Sequence, residues 1–163
     1  MFYLDLFRCL AQHDVRYLLV GGLAMNLLGV PRLTMDIDLL LALDDANLDA
    51  FIQCARALRL RPQIPEPLEA LKDPERRRAW SEEKRLIAFA LLGATPQVPV
   101  VDVLLQHPLD FDAAFGRAEL RDAEGVTVRV ASVQDMISLK RSAGRQQDIA
   151  DVEHLARIQA QRG

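Results

Sequence analysis

The sequence is poor in the residues that build staples, metal clusters and membrane spans. Only two of its 163 residues are cysteine, and only three are histidine. Cys9 and Cys54 make neither a disulfide framework nor a metal-ligand spacing, so both read as thiols of a core or helix face in a cytoplasmic protein. His13, His107 and His154 are scattered, and their positions argue for no Ser/His/Asp or Cys/His constellation. Apolar runs are short: the best, Leu86 to Ala94, spans nine residues, well below the roughly 18 that a bilayer span needs. The opening MFYLDLFRCLAQHD carries Asp5 and lacks a basic stretch before a cleavage site, so it reads as an amphipathic helix rather than a signal peptide. No membrane role is expected. Positive charge is not in excess either. A formal net charge of −3 excludes a bulk electrostatic grip on nucleic acid, though not a local patch that holds a nucleic-acid end.

What is present is an ordinary globular composition, 50% hydrophobic and 26% charged, in a length that favours one domain with a real core. The expected division is a sheet core over residues 1–131 and a helical tail over 132–163 that packs on it. Apolar spacing predicts a helix over Phe2–His13, a strand over Val15–Val20, a helix-like stretch over Leu23–Leu28 and a strand over Met35–Leu43. Asp44–Asp45 should cap a helix running to Leu60, with Leu48, Phe51, Ile52, Ala55 and Leu58 on its buried stripe. Residues 62–85 hold four prolines and, from Glu66 to Arg85, twelve charges, six of each sign; they read as an exposed loop with a short helix. A lid carrying Arg76, Arg77 and Arg78 is the functional alternative for that segment. Further strands are expected over Lys84–Leu92, Val98–Leu105 and Gly125–Val130. Short of the tail, Asp110–Phe115 should be helical. Ser132 with Asp135 forms a capping box for a helix ending near Gly144, and a last helix covers Gln146–Ile158.

Two features do not fit a purely structural reading. An apolar strand breaks at Gly21-Gly22, and the strand that follows carries Asp36 and Asp38. Residues two apart on a strand share a face, about 6.5–7 Å apart at Cα, so the two carboxylates converge. Like charges in an apolar run cost several kcal/mol unless a cation neutralises them, and Mg2+ prefers carboxylate oxygens combined with substrate phosphates. Glycine lets a backbone approach a ligand, and turn amides favour phosphate. The pair of motifs is therefore a phosphate cradle beside a metal site. Asp102, alone in VPVVDVLLQ, repeats the anomaly on a later strand.

The glycine turn followed by Asp36-Ile37-Asp38 resembles the signature of the DNA polymerase β-like nucleotidyltransferase superfamily. With Ala24, Gly29, Arg32 and Thr34, the wider string looks like small stand-alone members related to the AbiEii abortive-infection toxins. The tail resembles the second half of the AbiEii-like pattern through Lys140, Arg145, Asp148 and Asp151. The resemblance implies an α/β (α+β) fold with a mixed twisted sheet. It also implies an enzyme of the nucleotidyltransferase class, which moves a nucleoside monophosphate from a nucleoside triphosphate to an acceptor hydroxyl and releases pyrophosphate. Asp36, Asp38 and Asp102 would hold Mg2+ or Mn2+, with Asp102 also drawing the acceptor proton. Gly21 and Gly22 would cradle phosphates, and Arg32, Thr34, Lys140, Arg145 and Asp148 would contact the nucleotide. Asp148 or Asp151 would orient Lys140 or Arg145. Many members have Ser where this chain has Gly22, so a hydroxyl contact is missing while the backbone cradle remains. Implied partners are an RNA or tRNA end, a protein or a small molecule as acceptor, and a cognate antitoxin or a separate helical protein. Two alternatives stand beside this reading. The chain could be a degenerate nucleotide-binding or interaction module, and the tail charges could form a surface salt bridge worth under about 1 kcal/mol.

Overall fold

The computed structural model describes residues 2–33 and 36–162. Helix α1 (Phe2–Gln12) buries Leu6, Phe7, Cys9 and Leu10, the i, i+3, i+4 stripe expected of an amphipathic helix. Asp14, at φ +52°, reverses the chain into β1 (Tyr17–Val20), all four residues of which are buried. Helix α2 (Gly21–Leu27) starts at the first glycine, two residues earlier than the apolar pattern implies. Strand β2 (Ile37–Leu41) follows, with Ile37 and Leu39 to Leu41 buried and Asp38 half-buried. The expected first residue of this strand, Met35, lies outside the described residues.

Helix α3 (Asp45–Ala57) is capped by the Asp44 carboxylate, which accepts from the Asn47 amide. Its Asn47 side chain is buried yet satisfied, donating to the carbonyls of Arg16 and Ala42. A two-residue strand, β3 (Arg61–Pro62), and a 3-10 turn over Leu68–Lys72 lead into α4 (Pro74–Glu82). Strands β4 (Ala88–Leu92) and β5 (Val101–Leu104) are shorter than the apolar runs that contain them. Helix α5 (Phe111–Gly116) then leads to a hairpin of β6 (Glu119–Ala123) and β7 (Val126–Val130). Helices α6 (Val133–Ala143) and α7 (Gln146–Arg162) close the chain and pack on each other. The Ser132 hydroxyl caps α6 by accepting from the Asp135 amide, and Gly144 at φ +68° ends it, as the capping box and glycine predict.

The seven strands among the described residues form one mixed sheet in the order β3-β4-β5-β2-β1-β7-β6. This is the mixed α/β architecture expected from the sequence. β1 runs antiparallel to β2, β2 parallel to β5, and β1 parallel to β7. The strand β6 was not anticipated, because ELRDA alternates half-buried and exposed residues with only one strong apolar side chain.

The segment 62–85 is less exposed than its charge density implies. Leu68, Ala70, Leu71 and Trp80 enter the core, and Trp80 stacks on Phe89 with ring centroids 5.0 Å apart. Its Arg76, Arg77 and Arg78 are engaged within the chain: Arg76 with Glu66 and Asp73, Arg77 with the Leu71 carbonyl, and Arg78 with Glu75 and Glu82. That leaves them poorly placed to serve as a lid.

Candidate active site

Strand register builds the site. Val20 on β1 pairs with Asp38 on β2, Asp38 pairs with Asp102 on β5, and Asp102 pairs with Ala90 on β4. Two carboxylates from separate strands are thus brought side by side in one row of the sheet, at the point where β1 turns into α2. Gly21 takes φ +75° at that turn, and a Cβ there would lie 2.1 Å from Asp38 Oδ2. Only a residue without a side chain lets the backbone pass this close to the carboxylate. Val20 caps α2 without a side-chain hydrogen bond, so no side chain serves the first-turn amides from that position.

The acids bear the cost of this convergence. Burial, reinforced by the charges of Asp102 and Asp36, pushes Asp38 up from 3.8 to about 7, against the pull of Lys140 and Arg145. Asp102 is also raised, first by burial and then by Asp36, while a hydrogen bond with Asp38 offsets part of the rise. Asp36 is exposed at the edge of the same group. A cluster of carboxylates that resists full ionisation by itself matches the donor set of a hard divalent cation: oxygen ligands, surplus negative charge, and a solvent-accessible side for substrate oxygens.

Opposite the acids lies a cationic group. Arg32 Nη1 makes 2.7 Å contacts to both carboxylate oxygens of Asp151. Lys140 Nζ is 3.0 Å from Asp151 Oδ2 and 3.5 Å from Asp148 Oδ1. Arg145 Nε donates to Asp148 Oδ2 at 2.7 Å, and the Arg145 amide donates to the same oxygen, so Asp148 also caps α7. Asp148 and Asp151 are buried, and their partner Lys140 is only 12% exposed. The pairs of Lys140 and Arg32 are therefore not the surface salt bridges that the tail sequence alone permits, whereas the Arg145 end of its pair with Asp148 is exposed. Hydrogen bonds from Arg145 hold Asp148 below the usual carboxylate range. Burial pushes Asp151 up, but hydrogen bonds from Arg32 and Lys140 outweigh it and leave its pKa lowered. Among the described residues, Arg32, Lys140 and Arg145 converge on Asp148 and Asp151 and line the same cavity as Asp38.

Between the two groups lies a polar cavity of about 360 Å³, lined by Gly21, Gly22, Arg32, Asp36, Asp38, Lys140 and Arg145, with Leu33 and Gln147. A second cavity of about 510 Å³ shares Gly21, Asp38, Lys140 and Arg145, and extends over Asp148, Ile87, Leu104, Met136 and Leu139. Of the residues singled out from sequence, Gly21, Gly22, Arg32, Asp36, Asp38, Lys140 and Arg145 share the polar cavity. Asp102 joins through Asp38, and Asp148 lies behind the cations. Thr34 lies outside the described residues. Gln147 and the apolar residues of the second cavity were not singled out; Met136 and Leu139 look in sequence like any core stripe of a helix. His107 forms no constellation in the sequence. It is half-buried on the second cavity, accepts from the Leu109 amide, and burial lowers its pKa.

The model of the nucleotidyl transferase AbiEii toxin family, of the type IV toxin–antitoxin systems, matches residues 4–162. No curated protein sequence matches the chain. Among solved structures, the chain is similar to TM1012, a provisional nucleotidyltransferase of Thermotoga maritima, with a TM-score of 0.55 at 12% identity, over 94% of this chain and 89% of that one. It is also similar to ANT(2″)-Ia, solved in complex with adenylyl-2″-tobramycin, with a TM-score of 0.56 at 14% identity, over 93% and 83% of the two chains. At such identities the structural likeness speaks for the fold.

Proposed function

The chain belongs to the AbiEii nucleotidyl transferase toxin family, and from that premise we propose that it transfers a nucleoside monophosphate from a nucleoside triphosphate to an acceptor hydroxyl. The observation that carries this reading is the two-sided cavity, with the carboxylates of Asp36 and Asp38 on one side, Asp102 beside Asp38 on the next strand, and Arg32, Lys140 and Arg145 on the other side. A triphosphate needs both: a divalent cation held by acids at the reacting phosphate, and cations for the departing charge.

Asp36, Asp38 and Asp102 would hold Mg2+ or Mn2+. Bound there, the ion would polarise phosphate oxygens and lower the energy of the charge that develops in the transition state. The open turn at Gly21-Gly22 would let backbone amides meet phosphate oxygens, a role that needs no serine hydroxyl. Lys140 and Arg145 would balance the charge of the leaving pyrophosphate, and Arg32 would serve from the segment that leads to Asp36. Asp148 would hold both Lys140 and Arg145, fixing cations that would otherwise be mobile. In the reaction the acceptor oxygen bonds to the α-phosphorus, the bond from that phosphorus to the bridging oxygen breaks, and pyrophosphate leaves with the electron pair. The acceptor proton passes to Asp102, whose raised pKa suits it to a general base.

The acceptor is proposed to be an RNA or tRNA end or a protein hydroxyl, and the biological setting a toxin controlled by an antitoxin. Mixing the protein with each nucleoside triphosphate, Mg2+, and either total RNA or total protein tests this. Pyrophosphate release that depends on one acceptor fraction and vanishes in Asp36→Ala/Asp38→Ala is expected. Release that persists in the double variant would refute the assignment of these acids.

A further inference from the structure

Cys9, His13 and Cys54 look unrelated in the sequence, yet the fold brings them together. Cys9 and His13 are one turn apart at the end of α1, an i, i+4 spacing that puts two side chains on one face. Cys54 meets them from α3, which packs on α1. One ligand atom from each, the two Sγ atoms and a ring nitrogen, lie within 4.8 Å of one another. Cys9 Sγ and His13 Nδ1 are 3.7 Å apart. Two ligands at ordinary Zn–S and Zn–N bond lengths on a tetrahedron are separated by about 3.5 Å. One edge of the polyhedron is thus already in place without any backbone movement.

We propose that Cys9, His13 and Cys54 form a site for a thiophilic cation, Zn2+, which pins α1 to α3. Sulfur and imidazole donors select such an ion over the hard cations that suit the carboxylates of the active site. Two thiolates and a neutral imidazole cancel the charge of the ion exactly where charge is costly, since Cys54 is fully buried and Cys9 is 9% exposed. Half-buried His13 gives the group a side toward solvent, from which water completes the fourth position. The balance is simple. Both thiols release their protons to solvent, and the His13 proton moves from Nδ1, which donates to the Cys9 carbonyl, to Nε2, so that Nδ1 offers a lone pair. Two S–Zn bonds and one N–Zn bond form, replacing the contacts of Cys54 Sγ and His13 Nδ1 with the Cys9 carbonyl at 3.2 and 3.0 Å. None of the three residues lines either cavity described above, so this inference stands apart from the proposed reaction.

The test is titration of the reduced, metal-stripped full chain with Co2+ and then Zn2+, with excess Mg2+ present to occupy the carboxylates. One equivalent of Co2+ giving a sulfur-to-cobalt charge-transfer band, displaced by Zn2+ with a rise in Tm, is expected. Cys54→Ala should lose the band. Because a buried cysteine variant can fail to fold, His13→Gln is the second variant: it should stay folded and bind at least about tenfold more weakly. A spectrum without the thiolate band overturns the proposal. So does wild-type affinity in His13→Gln, and so does a Cys9–Cys54 disulfide recovered from a chain that binds no Co2+ when reduced.

Discussion

Gly21 passes so close to Asp38 that a Cβ on the glycine would stand 2.1 Å from the carboxylate oxygen Oδ2. The phosphate-facing turn and the metal-facing acid are therefore one construction, in which neither residue can change without moving the other. Gly21→Ala should cost about 1 kcal/mol for placing a side chain at φ +75°, and more for the overlap with Asp38. Lower Tm together with lost nucleotide binding is expected in that variant. Gly22 does not share the positive φ, so Gly22→Ser should fold as the wild type and bind Mg2+ and nucleotide at least as well.

Asp38 should trade stability for function. Its folded pKa of about 7 exceeds the ordinary 3.8. Below pH 3.8 both states are protonated; as pH rises toward 7 the unfolded chain gives up its proton first, and the fold loses stability. Above pH 7 the penalty is complete, at most about 4 kcal/mol. Without divalent cations, Asp38→Asn should therefore match the wild type near pH 4 and exceed its Tm at pH 8, while losing transfer activity. Parallel melting curves across pH check the opening of that gap.

Asp151 joins α7 to both Arg32 and Lys140. Asp151→Ala leaves two largely buried cations short of a partner, and should cost about 3 kcal/mol in urea unfolding. It should also raise the KM for nucleotide, since Arg32 loses its anchor. A variant with unchanged stability would show the cluster to be dispensable.

The same acids set the behaviour at low pH. Asp148 and Asp151 have depressed pKa values in the fold, so their contribution is present above the unfolded value of 3.8 and is lost as pH falls through the folded values. Amide exchange in α7 should accelerate at the acid end before exchange in β1 or β2 does. Asp148→Asn should remove part of that acid dependence.

Much of this site could be read from the sequence because buried charge is conspicuous. Asp38 and Asp102 stand out in apolar strands, Asp36 stands exposed just before β2, and Gly21-Gly22 mark the turn, so five positions could be named from local pattern. The cationic wall was legible only in part: Lys140, Arg145 and Asp148 are close in sequence, but the Arg32–Asp151 contact joins the two ends of the chain, and no local pattern encodes it. The Cys9, His13 and Cys54 cluster escaped for the same reason, since one helix supplies two of its members and a distant helix the third. Charge density misled over 62–85, where Leu68, Leu71 and Trp80 are few enough to be masked by twelve charges yet large enough to fix the segment.

Trp80 offers a check on that segment, being the only tryptophan of the chain and 2% exposed against Phe89. Its fluorescence in the native protein should be blue-shifted and poorly quenched by iodide, moving to the red only on global unfolding. Water-like emission from the folded protein would contradict the packing of α4.

Transfer of label from a nucleoside triphosphate tests the central claim most directly. The triphosphate is labelled on either its α- or its γ-phosphate, and incubated with Mg2+, total RNA and total protein. Stable incorporation of the α-label and never of the γ-label, present in the wild type and absent in Asp36→Ala/Asp38→Ala, is the predicted result. Incorporation of the γ-label, or α-label transfer that survives loss of both aspartates, would contradict the account.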